Sequence, residues 1–252
     1  MLGWPRTTIF YENKVRHKML KYTKVGNVVL VGTSHIAQES VKNVGAVVDH
    51  FHALGPCVVG VELDKQRFYS LLADQKKTSS FSFENIRRFG FKGFLFAMIA
   101  SAVTERLAKV VKSKPGDDML SAIRAAKKHD MTIALLDQPI HITLRRFSQE
   151  LTWIEKWHFF VDIIMGIFFP MREMKKYGLD SFDLRKVPPN DLIKKLLAHV
   201  QERYPHVYKV LITERNQFMV RKLRQFQQKY PDHVIIAVIG AGHEDGMKEL
   251  LQ

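Results

Sequence analysis

The sequence predicts an α/β fold: a mostly parallel, mixed central sheet flanked by helices, with a helical insertion in the middle of the chain. Three observations predict it. Apolar runs of strand length recur at 28–31, 57–63, 131–137 and 234–239, bounded by turn residues. Stretches with helical apolar spacing separate them, and strands alternating with helices build parallel sheets with right-handed crossovers. Finally, the runs end in residues that carry chemistry: Gly32-Thr33-Ser34-His35, Glu62 with Asp64, Asp137, and Gly240-Ala241-Gly242-His243.

Taken in order, strand 28–31 leads through the first Gly-x-x-His turn into a helix with apolar residues at Ala37, Val41, Val44, Val48 and Phe51, a 4-3-4-3 spacing that Gly55-Pro56 ends. Strand 57–63 precedes a helix bearing Phe68, Leu71 and Leu72. Residues 75–90 are polar and Ser-rich and read as a loop or short helices, and 91–112 as an apolar helix. Pro115-Gly116-Asp117-Asp118 reads as a turn and the start of a helix running to about Lys128, before the strand at 131–137. Thr152-Trp153-Ile154-Glu155 has the spacing of a capping box and opens an aromatic-rich helix closed by Pro170. Residues 172–190, with Pro188-Pro189, read as a linker or lid. Asn190 can cap a helix over 191–204 that Pro205 stops; another helix spans 207–229, Pro231 ends it, and strand 234–239 delivers His243.

With 252 residues and 46% apolar content, the chain can bury a substantial core. It reads as one domain over 1–252, with core segments 25–140 and 205–252 and a helical insertion at about 141–204. The single Cys57 lies in an apolar run, which excludes a disulfide framework and fits a reducing compartment. The N-terminus lacks the apolar region of a secretory signal, and the apolar stretches 94–103 and 159–171 fall short of the ~20 residues that span a bilayer. A cytoplasmic protein is therefore expected. Its net charge of +14 favours anionic partners, including an anionic membrane surface that could hold it peripherally. The basic residues are dispersed, and no RNP, zinc-finger or helix-turn-helix signature accompanies them, which argues against nucleic acid.

If the strands are parallel, their C-terminal ends share one edge, where open α/β sheets bind ligands. His35, Glu62, Asp64, Asp137 and His243 all lie at or just past such ends. An antiparallel strand would remove members of this set. In the helix over 207–229, Glu214 and Arg215 fall inside two adjacent apolar stripes. An unpaired buried charge costs several kcal/mol, so both need partners in the interior or at a site. A plain structural reading stands beside each functional one: Asp64 as an ordinary N-cap, Thr33 or Ser34 as the cap of the next helix, Glu214 and Arg215 as a structural network.

Together, Val31-Gly32-Thr33-Ser34-His35 with Ser40, Val61-Glu62-Leu63-Asp64 with Arg67, Pro115-Gly116-Asp117-Asp118-Met119, Thr143-Leu144-Arg145-Arg146, Glu214-Arg215-Asn216 with Met219, and Gly240-Ala241-Gly242-His243 resemble the TraB family. That family includes the bacterial pheromone-shutdown proteins and is related to the Tiki metalloproteases. The match covers most of the chain. It implies that His35, Glu62, Glu214, Arg215 and His243 line a pocket. A more distant likeness to erythromycin-esterase-like and ChaN-like proteins implies a carboxylate-and-histidine site on an α/β core. The chain departs from the family at Asp137-Gln138-Pro139, where many members carry Arg after the Asp, and it stops at Gln252, where many continue into membrane helices.

Two imidazoles with one or two carboxylates suit a divalent metal: Mn, Co, Zn or Fe. The leading expectation is thus a metal-dependent, peptidase-like hydrolase acting on a peptide or ester carbonyl. His35, His243 and Glu62 would be metal ligands, and Glu62, Glu214 and Arg215 catalytic groups. Gly32, Thr33, Ser34, Arg67, Asp137, Arg145, Gly240 and Gly242 complete the expected substrate-binding rim. The alternatives are a metal-free hydrolase with a histidine general base, and a non-enzymatic protein that sequesters a short peptide. The apolar helix 91–112 and the aromatic helix 153–169 could form a homodimer surface or a hydrophobic entrance, with core packing as the default reading.

Overall fold

A computed structural model describes residues 9–15, 18–33, 38–73, 116–168 and 190–252. Ser34 and His35, the Ser-rich stretch 75–90, the expected helix 91–112, Pro170 and the linker up to residue 189 lie outside them.

A six-stranded mixed sheet organises the molecule. Its strands are β1 (Ile9–Val15), β2 (Lys18–Val25), β3 (Val28–Thr33), β4 (Cys57–Val61), β5 (Thr132–Leu135) and β6 (Val234–Gly240), in spatial order β1-β2-β3-β6-β4-β5. β3, β6, β4 and β5 are parallel, whereas β1 and β2 add antiparallel to the β3 edge. The expected mixed α/β sheet is therefore present.

The β1–β2 hairpin is an addition to the four strands read from the sequence. Its apolar residues are interleaved with the Lys14 to Lys24 charges, so no apolar run announces it. The alternation is nevertheless there in β2. Leu20 and Tyr22 are buried on one face, and Thr23 is buried on the other. A two-residue turn follows, in which Gly26 takes φ 59°, a conformation that favours glycine.

Alternate residues of the parallel strands feed two cores. Val29, Val31, Val59, Val61, Ile236 and Val238 pack under α1 (Gln38–His52) and α3 (Asp117–Lys128), together with the half-buried Phe68, Leu71 and Leu72 of α2 (Lys65–Ala73). Val28, Leu30, Val58, Ile235, Ala237 and Ile239 pack on the opposite side, under α8 (Glu214–Lys229) and α9 (Ala241–Leu251). Strands buried on both faces read as continuous apolar runs, which is why β3, β4 and β6 are legible in the sequence. The connections leaving β3 and β4 go to the first layer and the one leaving β6 goes to the second. The chain thus leaves the C-terminal ends of the adjacent strands β3, β6 and β4 toward opposite faces, the arrangement at which open α/β sheets form a ligand crevice.

The remaining helices are α4 (Ile140–Glu150), α5 (Trp153–Phe168), α6 (Asn190–Arg203) and the short α7 (Pro205–Tyr208). The capping box at the start of α5 forms as expected. The Thr152 backbone N–H donates to Glu155 Oε2 at 3.0 Å and the Glu155 N–H to Thr152 Oγ1 at 3.2 Å. At its N-terminal end the aromatic helix departs from the core-packing default: Trp153, Ile154 and Trp157 are 80%, 69% and 65% exposed. The single helix expected over 207–229 is instead α7, a π turn (Lys209–Thr213) and α8. Among the described residues no helix is long and apolar enough to cross a membrane. Cys57 is buried, and burial pushes its thiol up to about 11, which leaves it a packing residue.

Candidate functional site

The parallel register sets the frame. Thr33 pairs with Gly240, and Val61 pairs with both Val238 and Leu135, so the residues that follow β4 and β5 emerge beside the end of β6. Glu62, Asp64 and Asp137 are all buried at this edge, at 6%, 4% and 5% exposure.

Arg215 joins them. It stands on the first turn of α8, just after the π turn, and all five of its N–H groups are engaged. Nε donates to Asp137 Oδ1 at 3.1 Å, and Nη2 donates to Asp137 Oδ2 at 2.7 Å and to Glu62 Oε1. Nη1 donates to the Leu211 carbonyl at 3.3 Å, in the π turn, and to His243 Nε2 at 3.1 Å. π turns interrupt the regular helical ladder and recur at functional sites. Burial works against the Arg215 charge, but Glu62 and Asp137 prevail and hold its pKa above the ordinary arginine value. The interruption of an apolar stripe by Arg215 thus does mark a buried ionic partner set.

His243, 5% exposed, comes from the first turn of α9. Its Nδ1 lies 2.6 Å from Asn216 Oδ1, and its Nε2 lies 3.4 Å from Glu62 Oε1. An arginine can only donate, so Nε2 accepts from Arg215, and Nδ1 carries the proton that Asn216 receives. Two flanking residues therefore fix one neutral tautomer. In the sequence Asn216 stands only as part of the Glu214-Arg215-Asn216 motif. Its place one residue after Arg215, on the turn that faces α9, is the signal that could have assigned it. The second glycine motif also contributes its backbone, since the Gly240 N–H donates to Glu62 Oε2 at 2.6 Å.

Asp64 caps α2: its Oδ1 accepts the Arg67 backbone N–H at 3.0 Å, and its Oδ2 accepts Arg67 Nε at 2.8 Å and the Ile140 N–H at 3.2 Å. Burial pushes the Asp64 carboxyl up, but the Arg67 backbone N–H and guanidinium outweigh it and hold the group below the usual aspartate value. Arg67 also donates from Nη2 to Asp137 Oδ2 at 2.5 Å. Asp137 consequently bridges two guanidiniums, and Asp64-Arg67-Asp137-Arg215-Glu62-His243-Asn216 forms one continuous network.

Other expected members lie apart. Glu214 is bound by Arg146, Nη2 to Oε1 at 2.7 Å and Nε to Oε2 at 3.1 Å, in a pairing that Arg146 shares with Glu150. The arginine that reaches inward from α4 is thus Arg146, while Arg145 is exposed. Successive helical residues point about 100° apart, so one position decides between the two faces. The Thr33 hydroxyl lies 2.5 Å from Asp118 Oδ2 and 3.2 Å from the Ile239 carbonyl. Gly242 faces Leu197, where an added Cβ would make ordinary contact at 3.7 Å.

Gly32 is different, because an added Cβ would land on the Glu244 carboxylate, whose Oε1 is 2.6 Å from the Thr23 hydroxyl. Glu244 links the two glycine-histidine segments and escaped the sequence reading, since nothing local separates it from a solvent-facing residue of a first helical turn. Gly32→Ala is expected to cost about 1–3 kcal/mol by overpacking, and most of that loss should vanish in a Glu244→Ala background, as a urea-denaturation double-mutant cycle would read. Burial, with Asp245 adding to it, raises the Glu244 pKa against the opposing effects of Thr23, Lys248 and Lys194. Its folded pKa lies above its unfolded one, so its stabilising contribution is full below the unfolded pKa and falls as pH rises through the folded value. Glu244→Gln should flatten that part of the stability profile.

Of the expected metal set His35, His243 and Glu62, the two described members offer a metal no free donor. Both nitrogens of His243 and both oxygens of Glu62 are already engaged, and the Arg215 guanidinium supplies the positive charge that faces them. Among the described residues no group of three or more His, Cys, Asp or Glu side chains could hold a metal ion.

Comparison with known proteins places this edge in context. An uncharacterised protein of Methanocaldococcus jannaschii is 28% identical over 243 residues, covering 93% of this chain and 57% of that protein. TraB domain-containing proteins of Homo sapiens and Mus musculus are each 24% identical over 244 residues, covering 88% of this chain and 62% of theirs. The chain thus spans less than two thirds of the length of these relatives. The model of the TraB/PrgY/gumN family matches residues 19–252, and the chain belongs to that family.

Proposed function

We propose that the chain is a metal-independent hydrolase acting on a peptide or ester carbonyl, with His243 as general base. The observation that carries this reading is the imidazole held by Asn216 on Nδ1, with its Nε2 lone pair directed at the Glu62–Arg215 pair.

In the proposed reaction, water replaces the Arg215 Nη1–H at Nε2. The water attacks the carbonyl carbon as its proton passes to Nε2, and the imidazolium so formed is stabilised by Glu62. The released Arg215 Nη1–H donates to the oxyanion that develops on the former carbonyl oxygen. When the tetrahedral intermediate collapses, the carbon–leaving-group bond breaks and Nε2–H returns its proton to the departing nitrogen or oxygen. The exchange of one hydrogen bond thereby supplies both the base and the oxyanion donor. Asp137 keeps the guanidinium oriented during the exchange through its bonds to Nε and Nη2.

The test is turnover of a panel of aryl esters and fluorogenic peptides by protein treated with chelator. Activity that survives chelation supports the reading. Activity that chelator abolishes and Mn, Co, Zn or Fe restores would replace it with the metal-dependent one. Saturable peptide binding without cleavage in either condition would make the chain a sequestering protein.

A further inference from the structure

The network holds two guanidiniums, and they are not equivalent. Arg215 has no N–H to spare, because its five donors reach Asp137, Glu62, Leu211 and His243. Arg67 spends Nε on Asp64 and one Nη2–H on Asp137, and its Nη1 makes no hydrogen bond among the described residues. Its side chain is 34% exposed, against 15% for Arg215. One end of Arg67 is thus locked into the buried network while the other faces outward, beside the proposed reaction centre.

The charge around it is already compensated. Three carboxylates face two guanidiniums, but every carboxylate oxygen accepts at least one hydrogen bond from an N–H group. Three of these donors are backbone groups where helices begin: the Arg67 N–H in α2, the Ile140 N–H in α4 and the Gly240 N–H ahead of α9. Helix N-termini carry partial positive charge, which offsets the remaining negative charge of the cluster. The chain's +14 adds a field of the same sign. A pre-oriented arginine with an open end is suited to a carboxylate, which accepts charge-assisted hydrogen bonds.

We infer that Arg67 reads a carboxylate of the substrate, so that the hydrolase substrate is a short peptide or ester carrying a free C-terminal or side-chain carboxylate near the scissile carbonyl. This rests on the proposed hydrolase site, and its test reads binding so that the two can fail separately. The probes are N-acetyl-Ala-Ala with a free carboxylate and its carboxamide, and N-acetyl-Glu-amide and N-acetyl-Gln-amide. Affinity is measured by ligand-observed NMR on the full chain. Wild type should bind the carboxylate member of at least one pair about tenfold more tightly than its neutral partner. The pair that discriminates identifies the source of the carboxylate.

Arg67→Gln should abolish the preference. Arg67→Lys keeps the charge without the planar fork and should retain only part of it, which covers the case in which Arg67→Gln fails to fold. Equal affinity for both members of each pair, no binding of any probe, or full preference surviving in the variants would overturn the inference. Carboxylate preference without turnover of the same peptides would sustain it while removing the hydrolase reading.

Discussion

Arg215→Met should destabilise the protein by about 3–5 kcal/mol, because it strands Glu62 as a buried charge without its guanidinium and leaves Asp137 with Arg67 alone. A methionine fills similar space, so the loss reports mainly electrostatics rather than a cavity. Arg215→Lys should recover only part of it. An ammonium has three donors where the site presents five acceptors, namely both oxygens of Asp137, one of Glu62, the Leu211 carbonyl and His243 Nε2. Urea denaturation at several pH values checks both points. In Arg215→Met the buried carboxylates favour their neutral forms, so its deficit relative to wild type should shrink as pH falls and they take up protons. A deficit under 1 kcal/mol that does not vary with pH would show that the network contributes little.

The second large effect is on turnover. Under the proposed mechanism, His243→Ala should lower the rate about 10²- to 10⁴-fold, the range of a lost general base. Asn216→Asp offers the sharper probe. It leaves an acceptor for Nδ1–H but makes it a carboxylate, which favours the imidazolium. The base works in its neutral form, so the acid limb of the pH–rate profile should move to higher pH. A purely structural Asn216 would change stability and leave that limb in place. Wild-type turnover by His243→Ala would remove His243 from the mechanism.

The parts of this site that could be read in the sequence were those where chemistry conflicts with burial. Glu62 and Asp137 are carboxylates that end apolar strand runs, and Arg215 interrupts an apolar helical stripe; all three are members of the network. Glu214 interrupts the neighbouring stripe in the same way, but Arg146 holds it outside the network. Where no such conflict existed, the reading slipped. Arg145 and Arg146 are adjacent and chemically identical, and the rotation of α4 alone decides that Arg146 meets Glu214. Glu244 looks like a residue favoured by any helix N-terminus, yet it packs on Gly32 and Thr23. The β1–β2 hairpin hid behind its lysines.

The sequence by itself determined the mixed α/β sheet, the edge at which chemistry-bearing residues gather, and the family. These follow from apolar periodicity and local motifs, which act over a few residues of chain. Tertiary structure decided what those residues do to one another. Arg215 meets Glu62 from 153 residues away and Asp137 from 78, because parallel register and the π turn bring three segments to one point. There the imidazole and carboxylate that suited a metal are held by a guanidinium. Which cation a buried carboxylate selects depends on distance and hydrogen-bond direction, and neither is encoded in spacing along the chain.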